Sequence, residues 1–367
     1  MSKLKLAVIG TGHLGRFHAK LAAAGEAFEL VGIVEPDEAA RSRVSAEVGA
    51  PGFAGMAEVR DSIDAAIVAA PTWLHHAICM ELVAAGKHVL VEKPITSTID
   101  DANELVAAAD AAGVTLQVGH IERFNPALTS VRNRLEAPKY IDAVRHTPYT
   151  FRSTDVGVVY DLMIHDLDIV LSIVQSQVVD VEALGFALMG EHEDAAIARL
   201  RFANGCCASL SASRISYESQ RRMNVWQEDS FVAVDYAARA SQVIRPHASL
   251  LDGSFDQQQL TAEEKNRLKD KLFEELLPIE IIHGDDANAM ADEQADFADS
   301  IRQGRRPVCD GHAGREALNL AEWILEKIER HQWDGSPEGR VGRHALVHGH
   351  VLHGPHWKQA ASRRHAG

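Results

Sequence analysis

An apolar run from Lys3 to Ile9 breaks abruptly into Gly10-Thr11-Gly12-His13-Leu14-Gly15, and an Ala-rich, helix-prone stretch from Gly15 to Ala24 follows at once. The spacing G-x-G-x-x-G occurs by itself in many unrelated turns. Here it leaves a strand, opens a helix, and is followed about twenty residues on by Glu35 at the end of a second apolar run, which is the order a dinucleotide fold requires. Gly10 permits the tight turn, Gly12 lets the backbone approach a pyrophosphate, and Gly15 allows the helix to pack closely on the sheet. The helix N-terminus supplies donors to the negative charge, so Thr11, His13 and Leu14 are placed with the glycines at the cofactor. A carboxylate at Glu35 accepts hydrogen bonds from a ribose diol and repels a 2′-phosphate, which favours NAD over NADP. Arg41 and Arg43 stand near enough in sequence to soften that preference.

The same texture continues to about residue 120. Short apolar runs at Glu29–Val34, Ala65–Ala70, His88–Glu92 and Thr115–Gly119 alternate with helical stretches such as His75–Ala85, the pattern of a parallel sheet with crossover helices. Beyond about residue 124 the period shortens to two, as in Ala196–Phe202 and Cys207–Arg214 around the turn signal Ala203-Asn204-Gly205. Further strands are expected near Tyr140–Phe151, Val179–Leu188, Arg221–Gln227 and Phe231–Tyr236, and helices at Ala287–Gln303 and Arg315–Arg330. The expected architecture is an α/β Rossmann dinucleotide-binding domain over residues 1–123, then an α+β domain over 124–332 with a large, mainly antiparallel sheet. Residues 333–367 are expected to be a polar tail. Its histidines (His344, His348, His350, His353, His356 and His365) have no carboxylate or cysteine framing them, so no metal is expected.

Composition narrows the function. A formal net charge of −15 speaks against nucleic acid as a partner, because phosphate backbones are held by clustered Lys and Arg. No apolar run reaches the roughly 20 residues of a membrane span, and the first strand begins too early for a signal peptide. Cys79, Cys206, Cys207 and Cys309 form no CxxC pair and read as reduced thiols of a cytoplasmic protein.

Oxidising an alcohol next to a nicotinamide needs a group that removes the hydroxyl proton. Lys93 follows the strand His88–Glu92 in Glu92-Lys93-Pro94 and so stands at a strand's carboxyl end, although any single lysine can simply face solvent. Within the apolar stretch 156–174, Asp161, His165, Asp168 and Ser172 are spaced by four, three and four and share one helical face. Burying a carboxylate and an imidazole is costly unless they pair or meet a ligand, so this stripe is either a site or a structural Asp-His pair. The segment Gly119–Pro126 enters the cleft after the last parallel strand; Arg123 and Asn125 either touch cofactor or substrate there, or Arg123 makes an interdomain salt bridge. Pro71, Thr72, Trp73 and His75 follow the fourth strand, where the nicotinamide half belongs, with Trp73 expected to pack rather than stack.

Taken together, the glycine loop with His18 after it, Pro71–His75, Ala85-Gly86-Lys87-His88-Val89, Glu92-Lys93-Pro94 and Asp161–His165 resemble the glucose-fructose oxidoreductase and inositol dehydrogenase family, Gfo/Idh/MocA. The resemblance covers the chain to about residue 330. It implies that Lys93 and His165 meet across the cleft, with His165 as general base, Lys93 holding the hydroxyl proton, and Asp161 orienting substrate or imidazole. It also implies an open-faced second sheet that buries itself in a dimer or tetramer. Within the family, Gly119–Pro126 with His165–Asp168 looks like the branch that oxidises the C3 hydroxyl of UDP-N-acetylglucosamine ahead of an aminotransferase in lipid A (lipopolysaccharide) synthesis. Members acting on inositol or free sugars share the same catalytic residues, and a non-catalytic NAD-binding regulator would keep the fold without them. Arg152, Arg214 and Tyr217 are candidate diphosphate or sugar contacts.

Overall fold

The computed structural model describes residues 3–151, 155–334 and 339–345. Strands β1 (Leu4–Ile9), β2 (Phe28–Val34), β3 (Gly52–Phe53), β4 (Ala65–Val68), β5 (His88–Glu92) and β6 (Leu116–Gly119) are all parallel and lie in the order β3-β2-β1-β4-β5-β6. Their residues are buried on both faces, as in Leu6–Ile9 and Ala65–Val68. Crossover helices α1 (His13–Ala24), α2 (Glu38–Val48), α3 (Thr72–Ala84) and α4 (Ile99–Ala112) supply that cover. The strand order reverses between β1 and β4, which opens the crevice where such sheets bind ligands. β3 was not expected from the sequence, and the helix expected after β2 had no placed bounds: α2 has a single buried residue, Val44, so its apolar period is faint, and its start is fixed instead by Asp37, which accepts from the Ala40 amide.

After α5 (Pro126–Thr129) and β7 (Tyr140–His146), one π-helical turn at Val159–Met163 runs into α6 (Ile164–Val174). The chain then makes β8 (Val178–Phe186), β9 (Ala195–Phe202), β10 (Cys207–Ser213), β11 (Gln220–Trp226), β12 (Phe231–Asp235) and β13 (Ala240–Ile244). A surface excursion with α7 (Ala248–Leu251) and α8 (Ala262–Asp270) leads to β14 (Ile279–His283). These eight strands form one sheet, β14-β13-β12-β11-β7-β10-β9-β8, antiparallel throughout except for β7 beside β10. Gly205, at φ 86°, makes the β9–β10 turn. On β9, Ala196, Ala198, Leu200 and Phe202 point into a core shared with α6, whereas Ile197, Arg199 and Arg201 point out of the opposite face.

Two elements cross the boundary expected near residue 124. Helix α9 (Ala289–Gln303) buries Phe297 and Ala298 among Leu6, Val8, Phe28 and Ile33 of the first sheet. Helix α10 (Gly311–Arg330) lays Gly311 and Gly314 so close to Leu116 and Val118 of β6 that a Cβ on either would stand within 2.6 Å of them. Its later residues Leu320, Ala321, Ile324 and Ile328 lie in the core of the second sheet. An apolar stripe shows that a helix is buried but not against which sheet, so the contiguous division at residue 124 does not describe the packing. Part of the expected tail packs on the folded chain: Gln332 bridges Val341, Trp333 Nε1 donates to the Gly342 carbonyl at 3.0 Å, and Arg343 reaches Glu193 at 2.9 Å. Of the tail histidines, His348, His350, His353, His356 and His365 lie outside the described residues.

Candidate active site

The glycine loop separates two kinds of glycine. A Cβ on Gly15 would sit 2.0 Å from the Gly10 carbonyl oxygen, and Gly10 itself has φ +88° with Ala69 O only 2.6 Å from its would-be Cβ. Gly12 has nothing within 4 Å on that side among the described residues. Gly12 is also the N-cap of α1 and brings no side chain to cap it, so the first amides of the helix face open space, as pyrophosphate binding requires. Glu35 is held at the end of β2 by Thr11, whose amide and hydroxyl donate to one carboxylate oxygen at 3.0 and 2.9 Å, and by the Asp37 amide at 3.2 Å. Arg41 donates to the carbonyls of Glu35 and Pro36. Its guanidinium is thereby partly spent on backbone, which leaves the Glu35 carboxylate to set the preference for a ribose diol. The residues fit a dinucleotide.

From this loop a cleft of 670 Å³ runs past Leu14, Pro71, Thr72, Trp73 and Lys93 to Asp161. A contiguous cavity of 320 Å³ continues past Glu92, Lys93, Asp161 and His165 to Arg145 and Arg221. Lys93 is delivered by the carboxyl end of β5, and its ammonium donates to the Asp161 carbonyl at 2.8 Å and to Asp161 Oδ1 at 3.3 Å. One residue earlier, Glu92 turns inward and accepts from His18 Nε2 at 2.8 Å; His18 Nδ1 lies 3.0 Å from the Gln294 amide nitrogen of α9. Burial would push the Glu92 carboxyl up, but the His18 hydrogen bond and the Lys93 charge hold it below its ordinary range. Glu92 therefore anchors the lysine's base from beneath.

His165 enters from the first turn of α6, two residues after the π turn that carries Asp161. Its Nδ1 has no partner among the described residues. Burial first, then the charges of Lys93 and Arg145, push its pKa well below the usual imidazole value, so the ring is neutral near pH 7. The ring of His120 stands edge-on to it, centroids 6.1 Å apart and planes at 90°.

The structure thus brings Lys93, Asp161 and His165 to one cavity, and it takes the rest of the expected stripe away. Asp168 is clamped by Arg123 Nε and Nη2 at 2.5 and 2.8 Å, and the Ser172 hydroxyl accepts from Arg132 at 2.9 Å. Arg123, expected at cofactor or substrate, lines a different cavity, because a fully buried carboxylate holds a guanidinium more firmly than a cleft can. Asn125 caps α5 through the Ala127 amide and donates to Glu122. Arg214, a candidate diphosphate contact, is buried on Asp194 and the Val156 carbonyl. Tyr217 is fully exposed and lines neither cleft, and Arg152 lies outside the described residues. His75 is 1% exposed, with its nitrogens 2.8 and 3.0 Å from the Ala70 and Pro94 carbonyls, so it ties together the two loops that carry Pro71 and Lys93. Trp73, expected to pack, is 72% exposed over the cleft. His13 sits outside it, edge-on to Phe17.

Sequence reasoning missed the cavity's far wall. Arg145 lies on the inward face of β7 in phase with Ile141 and Ala143, where it makes a two-pronged bond to Asp166 at 2.9 and 2.8 Å and reaches Glu122 at 2.8 Å. A charge in phase with buried apolar residues of a period-two strand was the available signal.

This dinucleotide cleft, backed by a large antiparallel sheet and holding a lysine, an imidazole and a carboxylate, is that of an NAD-dependent oxidoreductase. The chain belongs to the Gfo/Idh/MocA family: residues 4–120 match the model for the oxidoreductase family with NAD-binding Rossmann fold, and residues 127–230 match the model for the GFO/IDH/MocA C-terminal domain. It is 32% identical over 330 residues to the UDP-N-acetylglucosamine 3-dehydrogenase of Acidithiobacillus ferrooxidans, covering 90% of this chain and 98% of that protein. The solved structure of that enzyme superposes with a TM-score of 0.78 at 31% identity, over 89% of this chain and 98% of that one. The scyllo-inositol 2-dehydrogenase (NAD(+)) of Bacillus subtilis is 28% identical over 58% of this chain and 68% of its own length. Levoglucosan dehydrogenase in complex with NADH and levoglucosan shares the fold, with a TM-score of 0.74 at 16% identity over 89% and 97% of the two chains.

Proposed function

We propose that the protein oxidises the C3 hydroxyl of UDP-N-acetylglucosamine to the 3-keto sugar. The observation that carries this is the convergence of Lys93, Asp161 and His165 in one cavity opening on the glycine-loop cleft, in a chain that matches a UDP-N-acetylglucosamine 3-dehydrogenase over nearly its whole length. When bound, NAD supplies the hydride acceptor. His165, neutral and partly accessible from the cavity, takes the hydroxyl proton. Lys93, fixed by the Asp161 carbonyl and carboxylate, donates to the same oxygen and stabilises the negative charge that develops on it. Asp161 holds the ammonium in place and keeps a carboxylate oxygen within reach of a neighbouring sugar hydroxyl. Glu92, Thr72 and Trp73 shape the wall on the nicotinamide side.

The ketone is a substrate for an aminotransferase, and we place the reaction in the cytoplasm, ahead of amination for lipid A. The outer face of the second sheet exposes Ile197 and Ile281 by 50% and 59%, which supports a homo-oligomer built on that face. Reduction of NAD on adding UDP-N-acetylglucosamine tests the substrate, and deuterium at C3 tests the position: the label is expected in the reduced nicotinamide. Reduction with inositol or free sugars and none with the nucleotide sugar would overturn the reading.

A further inference from the structure

Arg221 stands on β11 directly opposite Arg145 of β7, and both point to the inner face, in phase with Met223 and Val225. Like charges facing each other across antiparallel strands destabilise a sheet. Arg145 is compensated, being enclosed by Asp166 and Glu122. Arg221 shares that compensation only loosely, through an ion pair with Glu122 and no hydrogen bond. Its nearest carboxylate oxygen among the described residues, Glu122 Oε1, is 3.9 Å away and already accepts from Arg145, while the other Glu122 oxygen accepts from Asn125. Among the described residues the Arg221 guanidinium makes no hydrogen bond, and its side chain is 55% exposed. It lines the same 320 Å³ cavity as Lys93, Asp161 and His165. In a chain of net charge −15, a guanidinium with a loose ion pair and no hydrogen bond at the rim of the catalytic cavity is a local anion receptor rather than part of a general positive field.

Resting on the reading above, we propose that Arg221 binds the diphosphate of the nucleotide sugar, making it the residue that selects an activated sugar over a free one. Phosphate oxygens suit a guanidinium that has all its donors available. The diphosphate relieves the Arg145–Arg221 repulsion when it binds, and the sugar ring spans the distance to Lys93 and His165.

The test uses the full-length protein with saturating NAD. For Arg221→Gln, KM for UDP-N-acetylglucosamine is expected to rise roughly 10- to 100-fold with kcat nearly unchanged, and competitive inhibition by UDP alone to weaken in parallel. Arg221→Lys should fall between, as a point charge without the fork. The melting temperature of Arg221→Gln should hold or rise as the repulsion is removed; a fall would make Arg221 a structural partner of Glu122 and overturn the assignment. An unchanged KM in an enzyme active on the nucleotide sugar would overturn the assignment alone. A wild type that oxidises free sugars and ignores the nucleotide sugar would overturn the reading and the assignment with it.

Discussion

Gly12 and Gly15 belong to one loop but should answer differently to the same substitution. A Cβ on Gly15 meets the Gly10 carbonyl at 2.0 Å, whereas one on Gly12 meets no atom of the described residues within 4 Å. Gly15→Ala is therefore expected to cost about 1–3 kcal/mol of stability or more by overpacking. Gly12→Ala should melt within about 0.5 kcal/mol of wild type yet bind NAD roughly tenfold or more weakly, because the added methyl points where the pyrophosphate comes. Thermal melts and NAD titration of the two variants separate the cases. At His165 the sign of the shift fixes a pH dependence. A base whose pKa is lowered stays deprotonated further into acid, so kcat/KM should hold level below the ordinary imidazole value of about 6.5 and fall only at lower pH. An acid limb at or above that value would show a base in a more ordinary setting.

At the scale of elements, what could be read from sequence followed how local each signal is. The glycine loop, Glu35 and Lys93 are fixed by strand ends, and the structure puts them where the strand pattern pointed. The stripe Asp161–Ser172 was read as one helical face, but a π turn carries its first member and two arginines from distant segments claim its last two. Neither is visible in spacing: the π turn depends on Glu193, whose carbonyl accepts from the Val158 amide and whose carboxylate accepts from the Val159 amide. Arg123 could be read as a ligand contact or as an ion pair, and burial decided it. Removing it strands the Asp168 carboxylate, so Arg123→Ala should cost about 3–5 kcal/mol of stability, while KM for sugar and for NAD measured on folded protein stays near that of wild type. A large change in KM with little change in melting temperature would return Arg123 to the binding site.

Over the whole molecule, helices that arrive late in the chain complete the core of the first sheet, and α10 reaches both sheets. Phe297 of α9 is fully buried against β1 and β2, more than 250 residues after them in sequence. Phe297→Ala should destabilise by about 3–5 kcal/mol and lower NAD affinity with it, since the same helix supplies Gln294 to His18 beneath Glu92. The outer face of the second sheet belongs to this scale as well. If it is the assembly surface, a charge at Ile197 should dissociate the protein by light scattering while leaving the fold intact, and an unchanged mass would exclude that face.

The central claim is that an imidazole from α6 and an ammonium from β5 act on one hydroxyl beside the dinucleotide. Turnover of UDP-N-acetylglucosamine by His165→Asn, alongside its NAD affinity, tests it most directly. Turnover should fall on the order of 10²- to 10⁴-fold with NAD binding preserved. Turnover within a few fold of wild type, with NAD still bound, would contradict it.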